Sequence, residues 1–296
     1  MKRGLRSYFL LFSFLTAAGA VFYSCNKEEP IPAYIHIDQI NVTADYPTQG
    51  TASHNIVDAW VYVDGKLIGA FELPVTFPVI AGEGSHSLKI QGGIKIDGIS
   101  ALRTAYPFYD FYNATVTLTP GQVTNIGSVS VPYFPAITIP NYIPWYDDFE
   151  SPGITLNDSL GDVPIQVDTV DEFEGNKALK ATFSPADTSL LWQSNSAYLL
   201  SAAQNAIFLE LNYKCSVPFN VGLRYQPSPN LVSTFLTLNP TSGAWKKVYI
   251  NLTDKFSVSS GLPGTGYYHI YFSKLNLDGA ANGGSVQIDN IKLLKN

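Results

Sequence analysis

Two cysteines, one methionine and four histidines stand in a chain of 296 residues, and each scarcity removes a class of chemistry. Cys25 and Cys215 cannot supply a disulfide framework, so stability has to come from a buried core. The histidines, His36, His54, His86 and His269, are isolated in sequence, and no H-x-x-x-H pair offers a zinc site. No G-x-S-x-G elbow and no glycine-rich phosphate loop occurs either. Positive charge is sparse, with 18 Lys and Arg against 24 acids and no basic cluster longer than Lys246-Lys247. A net charge of −6 repels a phosphate backbone and excludes nucleic acid as a partner. Asp171, Glu172 and Glu174 form an acidic loop, but no spacing sets two carboxylates across a cleft as glycoside hydrolysis requires. The sequence therefore predicts a protein that is not an enzyme.

The first seven residues carry Lys2, Arg3 and Arg6 and no acid, and an apolar run follows from Tyr8 to Phe22. A membrane-spanning helix needs about 20 apolar residues, whereas a basic start and a shorter run have the shape of a cleaved secretory signal. The run ends at Ser24-Cys25, and a small residue directly before a cysteine resembles the bacterial lipoprotein lipobox. Phe22 and Tyr23 stand where the usual lipobox has Leu and a small residue, the looser form of Bacteroidota lipoproteins. The resemblance implies acylation of Cys25. Lys27-Glu28-Glu29 looks like the signal that sends such lipoproteins through the outer membrane to face the cell exterior. The alternative is an ordinary secretory signal cut elsewhere, for instance after Ala20, with Cys25 in a leader. With two or three acyl chains, each buried CH₂ contributing about 0.8 kcal/mol, the rest of the chain needs no membrane affinity of its own.

Residues 25–33 read as a polar, Pro-punctuated tether. Beyond it, Ile35 and Ile37 alternate with His36 and Asp38, the period of a half-buried strand. Asp64-Gly65 between the apolar runs 59–63 and 67–71 is a type I′ hairpin signal. Further strands are expected at 87–91, 114–118 and 123–131. Val63-Asp64-Gly65-Lys66, Gly69 and Gly84-Ser85-His86-Ser87-Leu88-Lys89-Ile90 resemble PEGA-type modules, which implies a non-catalytic β-sandwich. An insertion at 100–113 departs from that pattern with Tyr106, Phe108, Tyr109, Phe111 and Tyr112. These aromatics either form a binding lip or pack over an open end of the sandwich or against the next domain. Pro132, Pro135, Pro140 and Pro144 then mark an extended connector.

The second half offers nine short strand candidates and no helix, which indicates a sandwich. In the clearest alternation, Leu209, Leu211, Tyr213 and Cys215 share one face of a strand and Glu210, Asn212 and Lys214 the other, so Cys215 is a core residue. Asp147-Asp148-Phe149-Glu150, Gly175-Asn176-Lys177-Ala178-Leu179, Gly243-Ala244-Trp245-Lys246-Lys247-Val248 and Ile288-Asp289-Asn290-Ile291 resemble, in that order, jelly-roll carbohydrate-binding modules and galactose-binding-like domains. The resemblance implies adjacent first and last strands and a structural Ca²⁺ held by Glu150 and Asp289, with Asp148 a further candidate. These residues are otherwise surface acids at strand ends. Tyr267, His269 and Tyr271 share a strand face, with Trp192 and Arg224 as candidate borders; the set reads either as a glycan platform or as ordinary solvent-facing β-formers. Asp158-Ser159-Leu160 and Asp168-Thr169-Val170 look like Bacteroidota O-glycosylation acceptors.

The expectation is thus an all-β protein of two tandem β-sandwich domains. A cleaved lipoprotein signal peptide (1–24) and acylated tether (25–33) precede a PEGA-like sandwich (34–131), a Pro-rich connector (132–144) and a jelly roll (145–296). Glycan binding is the leading function, the alternative is a structural subunit with protein partners at the cell surface, and a jelly-roll hydrolase or lyase ranks third.

Overall fold

The computed structural model describes residues 29–187, 189–256, 261–275 and 283–296; the signal segment, Cys25 and Lys27-Glu28 lie outside the described residues. The first half holds β1 (Ala33–Thr43), a single helical turn α1 (Tyr46–Gln49), β2 (Asp58–Val63), β3 (Lys66–Glu72), β4 (Val75–Val79), β5 (Gly84–Lys95), β6 (Arg103–Ala105), β7 (Tyr112–Leu118) and β8 (Val123–Pro132). The second half holds β9 (Trp145–Asp147), β10 (Leu156–Asn157), β11 (Gln166–Asp168), β12 (Ala178–Phe183), β13 (Ser189–Ser194), β14 (Tyr198–Ser201), β15 (Ile207–Cys215), β16 (Phe219–Tyr225), β17 (Val232–Leu238), β18 (Lys246–Asn251), β19 (Thr265–Leu275) and β20 (Gly284–Lys295).

In the N-terminal sandwich a three-stranded sheet, β4-β1-β8, packs on a five-stranded one ordered β3-β2-β5-β6 with β7 also beside β5. Ile35, Phe77 and Val131 from the first sheet and Val61 and Ile90 from the second share one core. The β2–β3 hairpin turns where its sequence requires, with Asp64 and Gly65 both at positive φ (50° and 76°) and Val63 opposite Lys66. The Asp64 carboxylate then accepts from the Ser87 amide (2.9 Å) and from His86 Nδ1 (2.7 Å), pinning the turn to β5. Strand β4 escapes sequence reading because Pro74 precedes it and Pro78 interrupts it; as an edge strand paired only to β1, it tolerates the missing donor.

The C-terminal sandwich is a jelly roll of two six-stranded sheets. One runs β10-β13-β19-β16-β17 with β14 also on β19, and the other runs β11-β12-β20-β15-β18 with β9 also on β20. The first and last strands, β9 and β20, lie side by side, with Asp147 opposite Ile291 and Trp145 opposite Leu293. Between the sheets Trp192, Leu209, Phe219, Ile270, Phe272 and Ile288 are fully buried.

Cys215 belongs to this core, and burial pushes its thiol up to about 11. A thiol reagent at neutral pH is expected to leave Cys215 unmodified in the native protein and to titrate it fully after denaturation. Rapid reaction of the folded protein would contradict this placement.

The two sandwiches meet over the other face of β15. Ala206, Phe208, Tyr249 and Leu294, from the jelly roll, are members of the N-terminal hydrophobic cluster. Tyr106, Phe108 and Tyr109 of the insertion are fully buried against them, with the Tyr106 ring edge-on to Phe208 (5.3 Å) and tilted against Tyr249 (4.9 Å). Of the two roles the sequence left open for these aromatics, packing against the neighbouring sandwich is the one observed.

Glu210 and Asn212, two polar residues on that face of β15, are therefore enclosed. Glu210 has no solvent exposure; it accepts from Tyr106 (2.6 Å) and Tyr133 (3.2 Å) and pairs with Lys247 (3.0 Å). Lys292 Nζ, also enclosed, donates to the Tyr133 hydroxyl (3.1 Å) and the Thr51 carbonyl (3.0 Å). Burial pushes the Glu210 carboxyl upward, but Lys247, Lys292 and Tyr106 outweigh it and hold the carboxyl below its ordinary value.

Candidate functional site

On β19, Tyr267, His269 and Tyr271 point away from the core while Tyr268, Ile270 and Phe272 point into it. Tyr271 lies between Gln193 of β13 and Gly222 of β16, and His269 lies beside Arg224. Arg224 is occupied by its own neighbours, donating from Nη1 to Gln193 Oε1 (2.7 Å) and from Nε to the Pro229 carbonyl (2.8 Å). His269 Nδ1 donates to the Ser194 carbonyl at 2.7 Å. Tyr267 is 50% exposed, but Tyr271 only 9%, and burial raises its hydroxyl above the ordinary value.

Trp192 does not border this face. It pairs with Phe272 and is 0% exposed inside the jelly-roll core. The stretch Leu190-Leu191-Trp192 is apolar throughout, so its phase comes from pairing with β19, which turns Trp192 inward and Gln193 outward.

The three carboxylates expected around calcium are each engaged with the protein. Glu150 Oε1 accepts from the amides of Asn176 (2.6 Å) and Lys177 (2.8 Å), and the Asn176 amide above all holds its carboxyl below the usual range. Asp148 accepts from the hydroxyls of Tyr46 and Tyr146 and from the Glu150 amide (3.2 Å). Asp289 is wholly buried; Oδ2 accepts from the amides of Phe173 (3.0 Å) and Glu174 (3.2 Å), and Oδ1 from that of Asn290 (2.7 Å). Burial pushes it up to about 7. A Ca²⁺ ion wants six to eight convergent oxygens. Among the described residues no group of three or more Asp, Glu, His or Cys is arranged to hold a metal.

The more concave surface lies at the junction of the two sandwiches, where a cleft of about 580 Å³ opens. The segment before β2 supplies His54 and Asn55, the end of β5 and its turn supply Lys95 and Asp97, and the jelly roll supplies Phe173, Asn212 and 245–248. These walls are tied together. Ser53 donates to Asn212 Oδ1 (2.7 Å), the Asn55 amide to the Tyr249 hydroxyl (3.0 Å), and the Asn251 amide to Asp97 Oδ1 (2.9 Å). Trp245 is half-buried, its ring 6.2 Å from that of Phe173 at 64°, and its Nε1 donates to Asp171 Oδ1 (3.3 Å). Two buried polar atoms of lining residues, His54 Nδ1 and Asn212 Nδ2, have no hydrogen-bond partner among the described residues. Burial and the Lys247 charge lower the His54 pKa, so its ring is neutral at pH 7.

No family model and no curated protein matches this chain. Solved structures do show likeness to it. An exo-β-agarase shares 15% identity over 52% of this chain and 25% of its own, with a TM-score of 0.39. The C-terminal family 22 carbohydrate-binding module of Clostridium thermocellum Xyn10B shares 14% over 53% of this chain and 94% of its own, at 0.36. The CBM22-1 xylan-binding domain of Paenibacillus barcinonensis Xyn10C shares 15% over 52% and 94%, at 0.35.

Sequence reading places the aromatic platform on β19 and does not find the cleft. Its walls come from positions as far apart as His54 and Val248, with no shared motif. One local signal is Trp245 beside the turn Ser242-Gly243, both at positive φ (55° and 84°), which starts β18 with a large ring near the surface.

Proposed function

We propose that this protein is a non-catalytic glycan-binding protein, held at the outer membrane by acylation of Cys25 and facing the cell exterior. The observation that carries the reading is the junction cleft, which sets a partly exposed Trp245–Phe173 pair beside the polar side chains of His54, Asn55, Lys95 and Lys246. Aromatic rings cover the apolar face of a sugar, and convergent polar groups fix its hydroxyls. Asp97 is the one acid among the lining residues, and it is engaged by the Asn251 amide and by Lys255 (3.7 Å). A single occupied carboxylate supports binding over glycoside hydrolysis, which needs two.

Affinity electrophoresis in gels containing soluble plant and algal polysaccharides tests this. At least one polysaccharide is expected to retard the protein, Trp245→Ala to weaken that binding about tenfold or more, and Tyr267→Ala to leave it unchanged. Retardation that depends on Tyr267 and not Trp245 would move the site to the outer sheet. For the anchor, Cys25→Ser is expected to release the protein from membranes and abolish acyl labelling. Protein partners at the surface form a second reading, supported by exposed Val167, Val170 and Phe173 beside the edge strand β11.

A further inference from the structure

The cleft differs in charge from the chain that builds it. The protein is acidic, and several of its described cations are ion-paired: Lys180 with Asp168, Lys214 with Asp171, Lys247 with Glu210 and Lys255 with Asp97. Lys95 and Lys246 line the cleft from opposite sandwiches, and neither has an acidic partner among the described residues. Of the carboxylates near them, Asp97 is held by Lys255 and the Asn251 amide, Asp171 by Lys214 and Trp245, and Glu210 by Lys247. The cleft lining therefore holds two lysines with no ion-pair partner among the described residues, together with its aromatic pair.

We infer that the cleft takes an acidic glycan, a sugar chain whose carboxylate or sulfate meets Lys95 and Lys246 while a ring face lies on Trp245 and Phe173. The inference rests on the glycan-binding reading of the same cleft. Ammonium groups make charge-assisted hydrogen bonds to carboxylate and sulfate oxygens that a neutral hydroxyl does not match. Asn212 also lines the cleft; it is fully buried and its Nδ2 has no hydrogen-bond partner among the described residues. Both lysines reach solvent, so their attraction is screened by salt and the binding is salt-dependent.

The test is titration calorimetry of the purified full-length mature protein with a glucuronate-containing oligosaccharide, its carboxyl-reduced neutral counterpart, and a sulfated form of that neutral chain. One or both acidic forms are expected to bind at least about tenfold tighter than the neutral chain, and the arm that wins identifies carboxylate or sulfate. The Lys95→Ala/Lys246→Ala double variant, at solvent-facing positions, is expected to keep the wild-type melting temperature, lose the acidic preference and lose the salt dependence. Equal affinity for acidic and neutral chains, or a preference that survives in the double variant, overturns the inference while leaving glycan binding in place. No binding of any chain, with no effect of Trp245→Ala, sinks the underlying reading as well.

Discussion

Glu210→Ala is expected to lower unfolding stability by about 3–5 kcal/mol, the usual cost of removing one member of a buried ion pair. The carboxylate is enclosed by both sandwiches, and its loss strips Lys247 and Lys292 of their counter-charge and leaves the Tyr106 hydroxyl without an acceptor. Glu210→Gln, which keeps an acceptor for Tyr106 but no charge, is expected to lose less. Urea unfolding followed by tryptophan fluorescence measures both, and a loss below about 1 kcal/mol for the alanine variant would mean the cluster is not the joint described here. Burial pushes Lys292 down to about 7 from its ordinary 10.5. The folded state thus binds fewer protons than the unfolded chain between those values. The contribution of this group to stability rises as pH climbs through that window and is lost as pH falls back through about 7.

Asp289→Ala is the second large effect, a loss of about 3 kcal/mol or more, because three backbone amides lose their buried acceptor together. The same melts distinguish this role from metal binding. With each carboxylate occupied by amides or hydroxyls, calcium and EDTA are expected to leave the wild-type midpoint unchanged; a midpoint that falls in EDTA would restore the calcium site. Burial raises Asp289 from 3.8 to about 7, so its folded value lies above its unfolded one. Its contribution is full below about pH 4 and is lost as pH rises through about 7, the opposite slope to that of Lys292 in the next window up. Asp289→Asn removes the titration and is expected to flatten the lower limb of the pH profile.

Legibility in the sequence followed the range of the interactions involved. Period-2 alternation at Ile35, Ile37 and again from Leu209 to Cys215 marked strands and their core faces, because that signal is local. Asp64-Gly65 set its own turn for the same reason. Trp192 was misassigned because an unbroken apolar stretch carries no phase until it pairs. The burial of Glu210 was equally illegible: alternation reports that two faces differ, and covering the polar one took Tyr106 and Tyr133 from another sandwich. The cleft was the extreme case, since Lys95 and Lys246 come to line one cavity from opposite sandwiches through tertiary packing alone.

The parallel pairing of β1 with β8, from Tyr34 opposite Val123 to Thr43 opposite Pro132, has a mechanical consequence. If the proposed anchor at Cys25 holds the chain, tension enters β1 at its first residue and leaves β8 at its last, toward the connector and the jelly roll. Pulled in those opposite senses, two parallel strands slide along each other, and the hydrogen bonds between them, regular from Gln39 opposite Ser128 to Thr43 opposite Pro132, share the load instead of opening one after another. Under that proposed anchoring, a load on the jelly roll would thus strain the N-terminal sandwich in shear, the direction in which a strand pair resists rupture best.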